Sequence, residues 1–260
     1  MYNKNKIIED LKNIGIKKGD VVLVHSSYKS LGVIEGGAKT FFEAFLDVIG
    51  EEGTLILPAL SYETVTGENP CFDKEKTPSC VGYLTEYFRT KLPGVIRSMH
   101  ATHSCCAVGK YAEEIVKDHE KDITPIGENS PFAKLKSYNG KILMLGCNPA
   151  SITMMHGVEE VAKTPYGIDW ENTIDYVLKN GDKCITITSY RHQFDIENIG
   201  HIAQRYERII NLLDENEVSH KNVLEADCYL LDAKAAWEKG LEKMKEEPYY
   251  FVDYPKITNK

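Results

Sequence analysis

Three short apolar runs, each ending in small or polar residues, set the strongest limit on how this chain can fold. They are VVLVHS at 21–26, TLILPAL at 54–60 and KILMLG at 141–146. Each run is continuous rather than alternating, as in a strand buried on both faces. Helical patterns lie between them. Residues 7–14 read as a short helix, and GVIEGGAKT reads as a glycine-rich loop opening the helix AKTFFEAFLDVIG, with Gly50 as its stop. VGYLTEYFRTKL and KYAEEIVKD read as helices flanking a short strand, SCCAVG, and SPFAKLKSY as a short helix with Pro131 in its first turn. Strands interleaved with helices need covering on both faces. The expected class is α/β, a three-layer sandwich around a mixed, largely parallel sheet.

After Pro165 the pattern changes. TIDYVLKNGDKCITITSY alternates around Asn180-Gly181, which predicts an added antiparallel hairpin in the later part. IGHIAQRYERIINLLDEN, at 199–216, reads as an amphipathic helix, and CYLLDAKAAWEKGLEKMKEE as a strand turning into a terminal helix. The polar segment 61–79 is too long for a plain connector. No repeat or linker divides the chain, so 1–260 is expected to be one domain.

Composition excludes several function classes. The net charge is −8 with the signs interspersed, which argues against a nucleic-acid surface. No apolar run nears the roughly eighteen residues of a membrane span, and the start MYNKNKIIEDLKN lacks an apolar signal-peptide core. The seven cysteines form no CxxC pair, so a reduced, cytoplasmic protein is expected, with no membrane partner; a homo-oligomer is compatible with all of this.

Ligands of open α/β sheets gather beyond the carboxyl ends of strands. Three strand ends here carry small residues: His25-Ser26-Ser27, Pro58 to Ser61, and Gly146-Cys147-Asn148. The segment RSMHATHSCCA, at 97–107, is denser. A metal site at His100, His103, Cys105 and Cys106 is disfavoured, because adjacent cysteines suit one tetrahedral ion poorly. An anion contact with Arg97 as the fork and serines such as Ser98 and Ser104 as partners is one reading; a polar strand-loop-strand with buried cysteines is the other. In LGCNPASITMMHGVEE, at 145–160, a helix start near 148–151 would set Thr153, His156 and Glu159 or Glu160 three or four residues apart. A helix start disfavours imidazolium, which leaves His156 a neutral ring able to accept a proton. Spacing alone leaves this reading and a surface ion pair equally open.

An ordered series of blocks extends the reading: HSSYKSLGVIEGGAKT, GTLILPALS, TPSCVGYLTEYFRTKLPGVIRSMHATHSCCAVG, DITPIGENSPFAKL and ITMMHGVEE. Across 21–166 this series resembles the aminoglycoside 3-N-acetyltransferase family, which moves acetyl from acetyl-CoA to an amine of an amino sugar. The resemblance implies that His156 of T-x-x-H-x-x-E is catalytic, with Thr153 and Glu159 the other motif members. Its coenzyme A site is resembled by the serine pair after His25, Ser26 and Ser27, and by the Arg97-Ser98 segment; His25 and Ser104 are counted with them as expected cofactor contacts, and no metal is expected. The family usually has His-Pro-Thr-His where this chain has His100-Ala101-Thr102-His103.

On this reading His156 is the general base of direct acetyl transfer. The acceptor is either an aminoglycoside, which would favour carboxylates such as Glu63, Glu68 and Asp73, or a nucleotide-linked aminodeoxy sugar, which would favour Lys74, Lys76, Arg191 and His192. Two rivals remain at this level: a non-catalytic sugar- or CoA-binding protein, and a Cys-His hydrolase using Cys147.

Overall fold

Alternate residues of each central strand face different cores, and that division builds three layers. The computed structural model describes residues 1–196 and 199–254. Its helices are α1 (Lys4–Ile14), α2 (Gly37–Ile49), α3 (Tyr83–Lys91), α4 (Ala112–Val116), α5 (Pro131–Lys134), α6 (Met154–Ala162) and α7 (Ala233–Glu246). The main sheet uses β1 (Val21–Ser26), β2 (Thr54–Pro58), β4 (Ile96–Arg97), β5 (Cys105–Gly109), β6 (Lys141–Leu145), β12 (Val218–Val223) and β13 (Ala226–Asp232). β3 (Cys71–Asp73), β7 (Gly167–Asn180) and β8 (Lys183–Gln193) form a second, three-stranded sheet. The short strands β9 (Asp195–Ile196), β10 (Gly200–His201), β11 (Ala203–Gln204) and β14 (Val252–Asp253) pair in two small ladders.

The main sheet runs β12-β13-β6-β1-β2-β5-β4. Its centre is parallel, β1 pairing with both β2 and β6, while the flanking pairs are antiparallel. Val22, Val24, Leu55, Leu57, Leu143 and Leu145 pack beneath α1, α2 and α3, against Leu11, Phe42, Phe45 and Phe88. Val21, Leu23, Ile56, Ile142 and Met144 pack on the other face against Phe132, Met155, Val158 and Trp237 of α5, α6 and α7. A strand with a core on each side has no polar face to show, which is why these runs read as continuous apolar sequence. Burying each large side chain contributes about 1.5–3 kcal/mol, and Phe42→Ala should cost about 3–5 kcal/mol.

The hairpin β7–β8 forms where alternation predicts it. Asn180 pairs with Lys183, so the two-residue turn is Gly181-Asp182, one position beyond the expected pair, with Gly181 at φ +58°. One face of the hairpin closes a small core of its own, Val65, Phe72, Ala101, Tyr176 and Leu178. The segment 61–79 is therefore no free loop: it contributes β3, which pairs parallel to β7.

One expected element is overturned. Residues 199–216 form no amphipathic α-helix but two short strands followed by a 3-10 helix at Tyr206–Leu212. Ile202 packs with Tyr166 and Val252, whereas Tyr206 and Ile209 enter the core beneath α6 and α7. The apolar spacing serves two separate cores rather than one helix face.

Candidate active site

The start of α6 is held in place by its apolar side. Asn148 Oδ1 accepts from Ala150 N at 2.9 Å and turns Pro149–Ser151 into one 3-10 turn; α6 then starts at Met154, later than the expected 148–151. Ile152, Met154, Met155 and Val158 are fully buried, and a Cβ on Gly157 would stand 2.6 Å from Ile126 Cγ2. Close packing on that side leaves Thr153, His156 and Glu159 on the remaining face. His156 therefore sits in the first helical turn, its N–H bonded to Thr153 O at 3.1 Å.

Three side chains interlock there. His156 Nδ1 lies 3.1 Å from Glu159 Oε2 and 2.7 Å from Tyr206 Oη, and Tyr206 donates to the same Glu159 oxygen at 2.7 Å. Glu159 is 3% exposed and Tyr206 1%. Tyr206 has one proton, so if it goes to the carboxylate, Nδ1 must carry the hydrogen that faces both oxygens. That fixes the tautomer and leaves the Nε2 lone pair free. Burial beside Glu159 holds the Tyr206 phenol well above its usual range, so it stays protonated. Glu160 turns away: its Oε1 accepts from Ile126 N at 2.9 Å, and burial raises its carboxyl to about 7.

His156 opens onto a cavity of about 640 Å³. His25, Ser26, Pro58, Cys147, Ala150, Ser151 and Thr153 line it at the carboxyl ends of β1, β2 and β6. Tyr62, Val65, Thr66 and Gly67 come from the 61–79 segment, and Ile174, Tyr176, Arg191, His192 and Phe194 from the hairpin and its exit. His25 is 8% exposed, its Nε2 has no protein partner, and burial lowers its pKa to about 4. The His156 ring lies 4.2 Å from that of His192, which lies 4.9 Å from His103; Thr102 and His103 also line the wall.

Several expected site residues are elsewhere. Arg97 is 4% exposed, and its guanidinium donates to Ser104 Oγ at 2.9 Å and to the carbonyls of Lys74, Thr77 and Ala59 at 3.2, 2.6 and 2.8 Å. It also stacks on Phe72 at 4.6 Å. This corrects the anion reading: the fork is already satisfied by carbonyls of the 59–77 segment. Ser104 donates to Ala59 O, and Ser98 accepts from Cys105 N and meets His119 Nδ1, so neither hydroxyl faces the cavity. Ser27 does not line it either; its N–H bonds Leu145 O and its carbonyl accepts from Ser30. His100 accepts from Thr102 N and His103 N at Nδ1, which makes it a loop clasp. Burial pushes the Cys147 thiol up to about 12, which removes the thiolate a hydrolase would need. No three metal-ligating side chains converge among the described residues.

Tyr206 is the residue that sequence reasoning missed. It lies fifty positions from His156 in a segment read as helix, and nothing local marks it.

Comparisons with known proteins find one family in both sequence and fold. The sequence model of the aminoglycoside 3-N-acetyltransferase family matches residues 23–245. Aminoglycoside N(3)-acetyltransferase IX of Micromonospora chalcea is 30% identical over 254 residues, covering 88% of this chain and 89% of its own. The apoenzyme structure of aminoglycoside acetyltransferase AAC(3)-IVa superposes with a TM-score of 0.81 at 26% identity, covering 100% of this chain and 94% of the other. AAC-IIIb, in binary complex with CoASH, superposes with a TM-score of 0.81 at 25% identity over 94% of this chain and 97% of the other.

Proposed function

This chain belongs to the aminoglycoside 3-N-acetyltransferase family, a family of acyltransferases, and from that premise we propose that it acetylates an amine of an amino sugar from acetyl-CoA with His156 as general base. The observation that carries the reading is the His156–Glu159–Tyr206 cluster, which engages Nδ1 and leaves Nε2 without a hydrogen bond among the described residues on a ring that lines the cavity.

The roles follow from that geometry. Acetyl-CoA brings the activated acyl group and a thiolate that leaves easily. The cavity rim at His25, Ser26, Cys147, Ala150 and Ser151 suits the thioester arm: it is largely uncharged and includes the partnerless His25 Nε2. The acceptor amine enters unprotonated and gives a proton to His156 Nε2 as it becomes an amide nitrogen. Positioned proton transfer of this kind contributes on the order of 10² to 10⁴ in rate. Glu159 then stabilises the imidazolium without taking the proton, and Tyr206 holds ring and carboxylate in register. The Thr153 hydroxyl, on the cavity wall and free of other bonds among the described residues, is the donor nearest in sequence to the base for the carbonyl oxygen where negative charge develops; one such donor contributes about 3 kcal/mol.

No helix among the described residues is long and apolar enough to cross a membrane. All seven cysteines are free, which suits the reducing cytoplasm, and we place the protein there.

The test is thiol release from acetyl-CoA with amino-sugar acceptors, run beside thermal denaturation with coenzyme A. A ligand that binds only the native state adds about 2.7 kcal/mol at a hundredfold excess over Kd. Acceptor-dependent release that disappears in a folded His156→Ala variant supports the reading. Undiminished release in that variant ends it.

A further inference from the structure

Beside His156 the cavity wall belongs to the hairpin, and its charge is unlike what a polycation would meet. Arg191 of β8 is exposed and lines the cavity, and its guanidinium has no hydrogen bond or ion pair among the described residues. Its cross-strand neighbour Asp169 is the obvious partner, but that carboxylate accepts from Glu171 N and from Asn172 N and Nδ2 instead. Next to it His192 lines the same wall, and its buried Nε2 has no partner. The acidic residues of the 61–79 segment do not offset this charge. Glu63 and Glu68 are exposed and off the wall, and Asp73 caps its own turn through Glu75 N and Lys76 N. Among the described residues, no carboxylate lines the cavity.

Given the acetyl-transfer reading above, on which this rests, we propose that the acceptor is an amino sugar bearing a phosphate or diphosphate, with Arg191 receiving the anion and His192 Nε2 adding a hydrogen bond. A planar guanidinium with free N–H groups suits phosphate oxygens in pairs, and an exposed position at the wall lets anything attached beyond the phosphate run out to solvent. A polycationic acceptor meets Arg191 with like charge and finds no described carboxylate to hold its ammonium groups.

The experiment compares one amino sugar as the free sugar, the 1-phosphate and the UDP-linked form, with kanamycin as the polycation. Calorimetry on coenzyme A-bound wild type and Arg191→Gln measures binding, and thiol release measures turnover. The phosphate-bearing forms should bind wild type about tenfold or more tighter than the free sugar, the size of one charge-assisted contact. Arg191→Gln should erase that difference while leaving coenzyme A affinity and melting temperature unchanged. Equal affinity of the 1-phosphate and UDP forms identifies the phosphate itself as the ligand; a further gain for UDP identifies the nucleotide-linked sugar. The proposal is overturned by equal binding with and without phosphate, by kanamycin outperforming the phosphorylated sugars, or by Arg191→Gln weakening coenzyme A instead. Arg191-dependent binding without thiol release would keep the anion subsite and sink acetyl transfer. His156-dependent release indifferent to phosphate would do the reverse.

Discussion

Two regions of this molecule carry an arginine close to histidines, and they do opposite things. In the 97–107 segment Arg97, His100 and Ser104 lie inside the protein, bonded to carbonyls, backbone N–H groups and one another. In the hairpin β7–β8, Arg191 and His192 stand on the cavity wall with donors unpartnered among the described residues. The first region is the richer in reactive residue types. Satisfaction decides between them: the buried donors and acceptors of the first region are met by the protein itself, so that segment is scaffolding, whereas Arg191 is exposed and the buried His192 Nε2 is left unmet at the cavity.

The contrast is broken most sharply by two histidine variants. His156→Ala should lower kcat on the order of 10² to 10⁴ with coenzyme A binding retained. His100→Ala should instead lower the melting temperature, because two backbone N–H groups lose their acceptor. Equal kcat losses at equal folded fraction would erase the distinction. Behind His156, Glu159→Gln and Tyr206→Phe should each lower kcat about tenfold to a hundredfold, the size of one or two charge-assisted hydrogen bonds. Their effect should appear in kcat and its pH profile rather than in coenzyme A affinity.

Arg97→Gln sharpens the scaffold half. Losing donors to three carbonyls and Ser104 should cost about 3 kcal/mol or more, lowering the melting temperature by roughly 6–12 °C in a chain of this size. Coenzyme A should still stabilise the folded fraction by its usual increment. A normal melting temperature with lost coenzyme A binding would return Arg97 to the site.

pH separates groups buried neutral from those left in water. Burial lowers His25 and His100 to about 4, and His103, His119 and His192 well below 6.5, so the fold holds these rings uncharged. Their contribution is full above pH 6.5 and is lost as pH falls toward 4, at up to about 1.4 kcal/mol per pH unit for each ring. Glu160 has the opposite sign. Its carboxyl is raised to about 7, so its contribution is full below pH 4.5 and is lost as pH rises through 7. Urea unfolding between pH 5 and 8 should give a falling acid limb, shallower by one proton in His100→Gln, and a flatter neutral limb in Glu160→Gln. An unchanged acid slope in His100→Gln would show that this ring is not held neutral. The smallest effect belongs to Glu63→Gln with Glu68→Gln: acceptor KM should move less than about twofold, since screened surface charges off the wall contribute little. A large rise would place 61–79 acids against the substrate.

Much of the fold was legible because burial on both faces writes itself into the residues: VVLVHS, TLILP and KILML lie where continuous apolar runs put them, and Gly50 ends α2 as expected. The 199–216 segment was not, since Ile202 and Tyr206 repeat at helical spacing while belonging to different cores. The motif at 153–159 pointed to His156, but the position of α6 depends on contacts with Ile126 and Trp237 that are remote in sequence.

By itself, then, the sequence determined the strand-and-helix alternation, the hairpin, the family and the histidine to suspect, because local period and motif order are properties of neighbouring residues. Tertiary structure alone decided that Tyr206 completes the cluster from fifty residues away, that Arg97 is interior and that Arg191 faces the cavity. Those outcomes depend on which groups are removed from water together, and desolvation is a property of the packed chain that no single stretch of it contains.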